Sequence, residues 1–520
     1  ASDATGTVKR EYDALNRVTK YTDIYGQTIL YEYDCCGNLT KMTYPTGEAG
    51  VYTYDANHNM VTSGVEGETH TTTYEYNKQN QVTKIHNIDG GTVTKSYDSA
   101  GRLQILTDKD KNGKILFVNI FTYDVLGRIT SELNPIEMID YRMTYDSLGR
   151  VTQRTECDYR TNEAIHTETF TYDAAGNILT AVSPDGTENT YQYDQNNFID
   201  KMNETGIGVT VNGNTATCMI NGKKVDITYD ITNRLKKIDG DMNEYWYDAD
   251  NNRINMYYYH TNMKYAYDCS GGRSRLVWTS DHNLNVSSYF YGAEGLLWSR
   301  CNGEYQVYHY DYRGSVVAVT DIDGTVTDTL KYDAYGSTIE RTGDSALIFG
   351  YNGQYGVLTD PNGLLYMRTR FYNPQLKRFM NADVLDGSIA DSTTLNLYTY
   401  VNGNPISFVD PFGMSADRGN NETESNSGIS QSQINFGIDY SKFSDSFFIS
   451  DATVQALINE DNLVALYTYL RNGILTAERP ANIGIGIWNK EVNAALTQLD
   501  DVLGSASVFS KGVKALPYVS

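Results

Sequence analysis

Over the first two thirds of the chain, polar and apolar side chains alternate in short runs, as in Thr72-Thr-Tyr-Glu-Tyr76. A period of two is strand patterning. The runs end on a Tyr-Asp pair or a close variant. The pair recurs at Tyr12, Tyr33, Tyr54, Tyr76, Tyr97, Tyr123, Tyr145, Tyr172, Tyr193, Tyr229, Tyr247, Tyr267, Tyr291, Tyr310 and Tyr332, mostly 18–27 residues apart. Asn77 and Gly292 take the place of Asp in two copies. The fourth position of the following turn is Gly, Asn or, once, His58. Asp at the start and a residue tolerant of positive φ at the end describe a type I turn closed by a left-handed residue. A return strand follows, such as Arg128-Ile-Thr130 or Arg150-Val-Thr152. Each unit therefore predicts a β-hairpin. A lone hairpin is unstable in water, so fifteen in series must pair edge to edge. Such a sheet twists and coils, and its alternation leaves only one strongly apolar face.

Units such as Tyr145-Asp-Ser-Leu-Gly-Arg-Val-Thr152 resemble the tyrosine-aspartate (YD) repeats of the Rhs family. That family is related to the C components of Tc insecticidal toxin complexes and to teneurins. The resemblance covers residues 8–414. It implies a mostly β fold: a spiralling sheet of hairpins forming a hollow shell that encapsulates a C-terminal polypeptide. The expected organisation is a repeat shell over 1–350, an Rhs core-associated domain over 351–414, a linker over 415–435 and a mostly helical tail over 436–520.

The segment 351–414 carries the candidate chemistry. It contains Tyr366-Met-Arg-Thr-Arg-Phe-Tyr-Asn-Pro, then Lys377-Arg-Phe-Met-Asn-Ala-Asp383, and ends on Asp410-Pro-Phe-Gly-Met414. This is similar to the Rhs core-associated domain, which in family members with a cleaved C-terminus is an aspartic autoprotease. The resemblance places the cut between Met414 and Ser415 and nominates Asp383 and Asp410 as the two carboxyl groups. Such chemistry needs one carboxylate to activate water and one carboxylic acid to protonate the leaving amide. Val384 follows Asp383 where Pro is commoner, which makes Asp386 a rival for the first acid. Arg378 either orients a carboxylate or caps a strand. Asp-Pro-x-Gly is also an ordinary turn, and Asp360-Pro-Asn-Gly reads as one.

Composition narrows the function. The chain of 520 residues carries a formal charge of −23, which disfavours a nucleic-acid partner. Its six Cys show no CxxC spacing, so neither a structural zinc nor any cofactor is expected. No run of 18 apolar residues predicts a membrane-spanning helix, and no signal peptide is expected at the start. The 44 Tyr against 15 Phe suit strands with one wet end.

Beyond residue 435, Val454, Leu457, Ile458, Leu463, Leu466 and Leu470 have helical spacing, as do Val492, Leu496 and Leu499. All seven His and all six Cys lie upstream of the tail, which excludes a His-based nuclease, a Cys protease or a zinc deaminase there. The tail reads as the lead-in to a toxin whose active part is not in this chain; the alternative is a small effector that works by binding. The resemblance implies a bacterial protein, secreted or attached to the cell surface. Its implied partners are its own C-terminal segment inside the shell, with an immunity protein or a secretion-system component as candidates outside it. Two other functions stand beside this: an adhesion or recognition protein using the outer wall, and a sugar hydrolase acting through wall Asp and Tyr residues. The last is disfavoured, because Asp recurs at a turn position in nearly every unit instead of forming one distinct pair.

Overall fold

In the computed structural model, which describes residues 2–3, 6–240, 243–271, 274–384 and 392–414, the Tyr-Asp units are antiparallel hairpins paired in chain order. The turn at Asp146 shows the chemistry. Its Oδ1 accepts the backbone N–H groups of Leu148 (3.0 Å) and Arg150 (2.9 Å), and its Oδ2 accepts Arg150 Nε (2.6 Å). Gly149 N–H closes the turn on the Asp146 carbonyl at 3.1 Å. Where the closing residue is not Gly, φ is still positive: 61° at Asn16, 66° at His58, 59° at Asn80, 64° at Asn197, 69° at Asn233 and 67° at Asn251. The connections between hairpins use the same device, at Asp23–Gly26, Asp110–Gly113 and Asp321–Gly324.

In most pairs the Tyr ties its hairpin to the one before it, whereas the buried Tyr310 hydroxyl has no hydrogen-bond partner among the described residues. Tyr172 Oη donates to the Val151 carbonyl (2.7 Å), Tyr33 to Val18 (2.8 Å), Tyr229 to Thr215 (2.9 Å) and Tyr332 to Val316 (2.9 Å). Where an Arg follows the turn, its guanidinium lies over the next Tyr ring, 4.6 Å for Arg150 on Tyr172 and 4.7 Å for Arg17 on Tyr33. Register slips by one residue just before the Tyr, for example between Thr144 and Tyr145 and between Thr171 and Tyr172. Such bulges increase the local twist and help the sheet to curl.

Every strand from Lys9–Tyr12 to Thr205–Gly206 belongs to one closed barrel, and those from Gly208–Val209 to Thr338–Thr342 form a 14-stranded sheet. The second sheet lies on the apolar face of the first and follows it in the same order. Arg10 meets Asp250, the Tyr44 ring meets Phe290, Phe121 meets Tyr312 and Phe170 meets Tyr335. This ordered stacking is the spiral expected from the repeats: a second turn of hairpins wound on the first. Strands Arg275–Ser280, Val286–Gly292 and Gly295–Cys301 are buried on both faces for most of their length. Residues 349–371 pack on the same sheet: Tyr289 meets Phe349 and, on strand Asn243–Tyr247, Tyr245 meets Phe371, with ring centroids 5.2 and 5.1 Å apart.

Buried ion pairs also join the layers. Lys95 Nζ reaches Glu294 at 2.6 Å. His309, from the second sheet, is fully buried between two acids of the first. Its Nδ1 lies 2.7 Å from Asp108 Oδ2, and its Nε2 lies 3.0 Å from Thr320 Oγ1 and 3.5 Å from Asp89 Oδ2. Among the described residues there is no α-helix. The linker and the helical tail expected from the sequence lie outside the described residues.

Candidate active site

The segment 349–414 builds a four-stranded sheet from Leu358–Thr359, Leu365–Met367, Arg370–Asn373 and Arg378–Phe379. Strands Leu365–Met367 and Arg370–Asn373 form a tight hairpin with Met367 opposite Arg370, so only Arg368 and Thr369 occupy its tip. Arg370 begins the return strand with its side chain buried against the Phe379 ring, 3.5 Å from guanidinium carbon to ring centre.

One nitrogen of Arg370 holds both sequence-nominated acids. Nη2 lies 2.7 Å from Asp383 Oδ2 and 3.2 Å from Asp410 Oδ2. Asp410 lies deeper: its side chain is 3% exposed, against 13% for Asp383. Burial pulls the guanidinium of Arg370 below the usual arginine range, opposed first by Asp410 and then by Asp383. Backbone contacts fix the two acids. Asp383 N–H donates to the Leu397 carbonyl (2.9 Å), which also accepts Arg370 Nη1 (2.9 Å). Asp410 opens a turn in which its Oδ1 accepts Met414 N–H at 2.9 Å. Asp410-Pro-Phe-Gly is therefore a turn and a carboxylate site at once, because Oδ1 serves the turn while Oδ2 faces Arg370.

Arg378 is not at this site. It sits between the rings of Tyr193 and Tyr398, 4.9 Å from each, and donates to the Asn197 carbonyl at 2.8 Å. Burial lowers its pKa against the pull of Tyr193. The arginine that orients the acids is Arg370, inside the quoted Tyr366-Met-Arg-Thr-Arg motif, where sequence reasoning offered no way to prefer it. Asp386 and Ser415 lie outside the described residues. Met414 is described, held by its N–H as above.

Asp360, read from sequence as a simple turn residue, does close a turn, with Gly363 N–H on its carbonyl at 2.8 Å. Its carboxylate also has a second role. Both oxygens lie 2.8 Å from Arg253 Nη1, and the guanidinium is ringed by Tyr366 (4.4 Å), Tyr265 (4.9 Å) and Tyr245 (5.5 Å). This fully buried pair fastens the 358–379 sheet to the second turn of the spiral.

A wall of Tyr-Asp hairpins wound in two turns, with an inward sheet that gathers two acids on one arginine, is the architecture of a YD-repeat shell. The chain belongs to the Teneurin YD-shell family, whose model matches residues 2–160 and 92–406. It is 28% identical over 369 residues to the tRNA3(Ser)-specific nuclease WapA of Bacillus spizizenii, covering 68% of this chain and 15% of that protein. It is 30% identical over 225 residues to the tRNA(Glu)-specific nuclease WapA of Bacillus subtilis subsp. natto, covering 42% and 9%. Among solved structures it is similar to TcdB2-TccC3, with a TM-score of 0.65 at 18% identity over 78% of this chain and 24% of that one. At that identity the likeness shows the fold alone. The chain thus spans less than a quarter of the length of these relatives.

Proposed function

We propose that the chain is the closing part of a polymorphic-toxin shell that cuts itself between Met414 and Ser415 and so frees a C-terminal effector held within the shell. The observation that carries this reading is the meeting of Asp383 and Asp410 on Arg370, with Met414 N–H bound to the same Asp410. Two carboxyl groups facing one guanidinium form a neutral cluster when one of them keeps its proton, the state aspartic catalysis needs. The ionised carboxylate takes a proton from a water whose oxygen adds to the Met414 carbonyl carbon. The protonated partner gives its proton to the Ser415 nitrogen as the C–N bond breaks. Arg370 offsets the charge of the pair and keeps both oxygens on the same side of the chain.

The wall residues support a scaffold role over a sugar-hydrolase role, since turn aspartates such as Asp146 engage both oxygens within their own turn. The names of the two nuclease relatives differ in the tRNA they act on, which supports a shell that serves variable effectors. Release of such an effector implies a protein working outside the cell that makes it.

Intact-mass measurement of the purified chain tests the cut. Fragments 1–414 and 415–520 are expected from the unaltered protein, with Asp410→Asn and Asp383→Asn remaining whole. An unaltered protein that stays in one piece under all conditions overturns the reading and favours adhesion through the wall. Encapsulation has its own test: residues 415–520 should resist added protease until the shell is unfolded, and equal digestion before and after unfolding refutes it.

A further inference from the structure

The hairpin tip beside the acid pair grips the chain just before the proposed cut, one carbonyl after another. Arg368 Nη1 donates to the Pro411 carbonyl at 3.1 Å, and its guanidinium lies 4.4 Å from the centre of the Phe412 ring. Thr369 Oγ1 is 2.7 Å from the Phe412 carbonyl oxygen and 2.7 Å from that of Gly413. Arg370 Nε donates to the Gly413 carbonyl at 2.6 Å. Three consecutive side chains thus engage three consecutive carbonyls, and the next carbonyl in the chain is that of Met414.

Two further features show that this grip is built and not incidental. Arg368 has φ +56° at the first tip position of a two-residue hairpin, where Gly is the favoured residue. A long side chain in that conformation is strained. It is held there by three carbonyls: Pro411, Ser274 (2.8 Å) and Tyr355 (3.0 Å). Gly413 fits the grip closely, with φ +67°. A Cβ there would lie 2.8 Å from the Met367 carbonyl oxygen and 2.9 Å from Thr369 Oγ1. The cradle therefore excludes every side chain at position 413.

We infer that Arg368 and Thr369 are positioning residues that set the register of self-cleavage. They read the backbone of residues 411–413, so the bond cut is the one that follows the next residue, whatever its side chain. This rests on the acid-pair reading above. Side-chain selection at position 414 would give the same cut in the natural chain, and the two can be separated by moving Met414 relative to the cradle.

The experiment inserts one Ala between Gly413 and Met414 in the full chain and determines the new termini by mass spectrometry. A cut between the inserted Ala and Met is expected, leaving Met at the head of the released piece. A cut that still follows Met overturns the register role while leaving the acid pair in place. Thr369→Val and Thr369→Ser provide a second readout. Loss of one hydrogen bond to the gripped chain slows cleavage roughly tenfold in the Val variant and scatters its termini, and the Ser variant, which keeps the hydroxyl, cuts at the normal place and near the normal rate. Equal rates and a single terminus in both variants overturn the proposal. An unaltered chain that never cuts removes the acid-pair reading and this inference with it, whereas an unaltered chain that cuts beside an insertion variant that cuts after Met removes only the latter.

Discussion

Replacing His309 with Gln removes a cation that faces two carboxylates between the turns of the spiral. Burial alone would drive the imidazolium of His309 down. Asp108 and then Asp89 overcome that and push it up to about 10. The folded value lies above the ordinary 6.5, so the stabilisation is fully present below pH 6.5 and is lost as pH rises through about 10. That gap corresponds to an upper bound of about 5 kcal/mol at 1.36 kcal/mol per tenfold change. Breaking a buried ion pair by removing one partner costs about 3–5 kcal/mol, which agrees. H309Q is therefore expected to unfold more easily by several kcal/mol at pH 6.5–7. Above pH 10.5 the natural chain also loses the cation, and the two proteins should nearly coincide. Urea unfolding followed by tryptophan fluorescence suits the test, because Trp278 and Trp298 are buried in the same sheet as His309. A stability gap that is the same at pH 7 and pH 10.5, or one below about 1 kcal/mol at pH 7, refutes the reasoning.

Tyr145→Phe removes only the hydroxyl that bonds the Ile129 carbonyl at 2.5 Å. It should lower stability by about 1 kcal/mol in the same unfolding assay, because one carbonyl partner is lost while the ring stays packed. Arg253→Leu leaves the Asp360 carboxylate buried without its guanidinium and should cost about 3–5 kcal/mol. The double variant with Asp360→Leu should recover much of that loss, and a double variant no better than the single would show that the pair is not the unit that matters.

Much of the wall was legible in the sequence because each copy spells its own turn. Asp at the start and Gly, Asn or His58 at the end fix the hairpin locally, and the left-handed φ values at Asn16, Asn80 and Asn233 follow from that. The stacking of one turn on another was not legible. Arg10 and Asp250, or His309 and Asp108, are some two hundred residues apart, and no local pattern marks which repeat will face which. The acid pair was nominated through a family resemblance, and the structure brings Asp383 and Asp410 together. The sequence leaves Arg378 open between orienting a carboxylate and capping a strand and does not single out Arg370; the two begin neighbouring strands of one small sheet, Arg370–Asn373 and Arg378–Phe379. Only the packing decides which guanidinium faces the acids and which lies between Tyr193 and Tyr398. Asp360 was undervalued for a related reason: a turn motif reports what the backbone does and leaves open where the second carboxylate oxygen points.

The tyrosine hydroxyls give the spiral a direction. Most tyrosines of the repeat pairs bond a carbonyl of the hairpin before, from Tyr33 on Val18 through to Tyr332 on Val316, although Tyr172 and Tyr229 also reach the later carbonyls of Gly403 and Met380. A chain emerging from its amino end therefore meets an already formed edge at most steps of the winding. The hairpin that bears Arg370 leans on Ser274 and Tyr355, so it can set only after the second circuit is in place. Order of synthesis thus brings Asp383 and Asp410 together on Arg370 last, when the winding is complete.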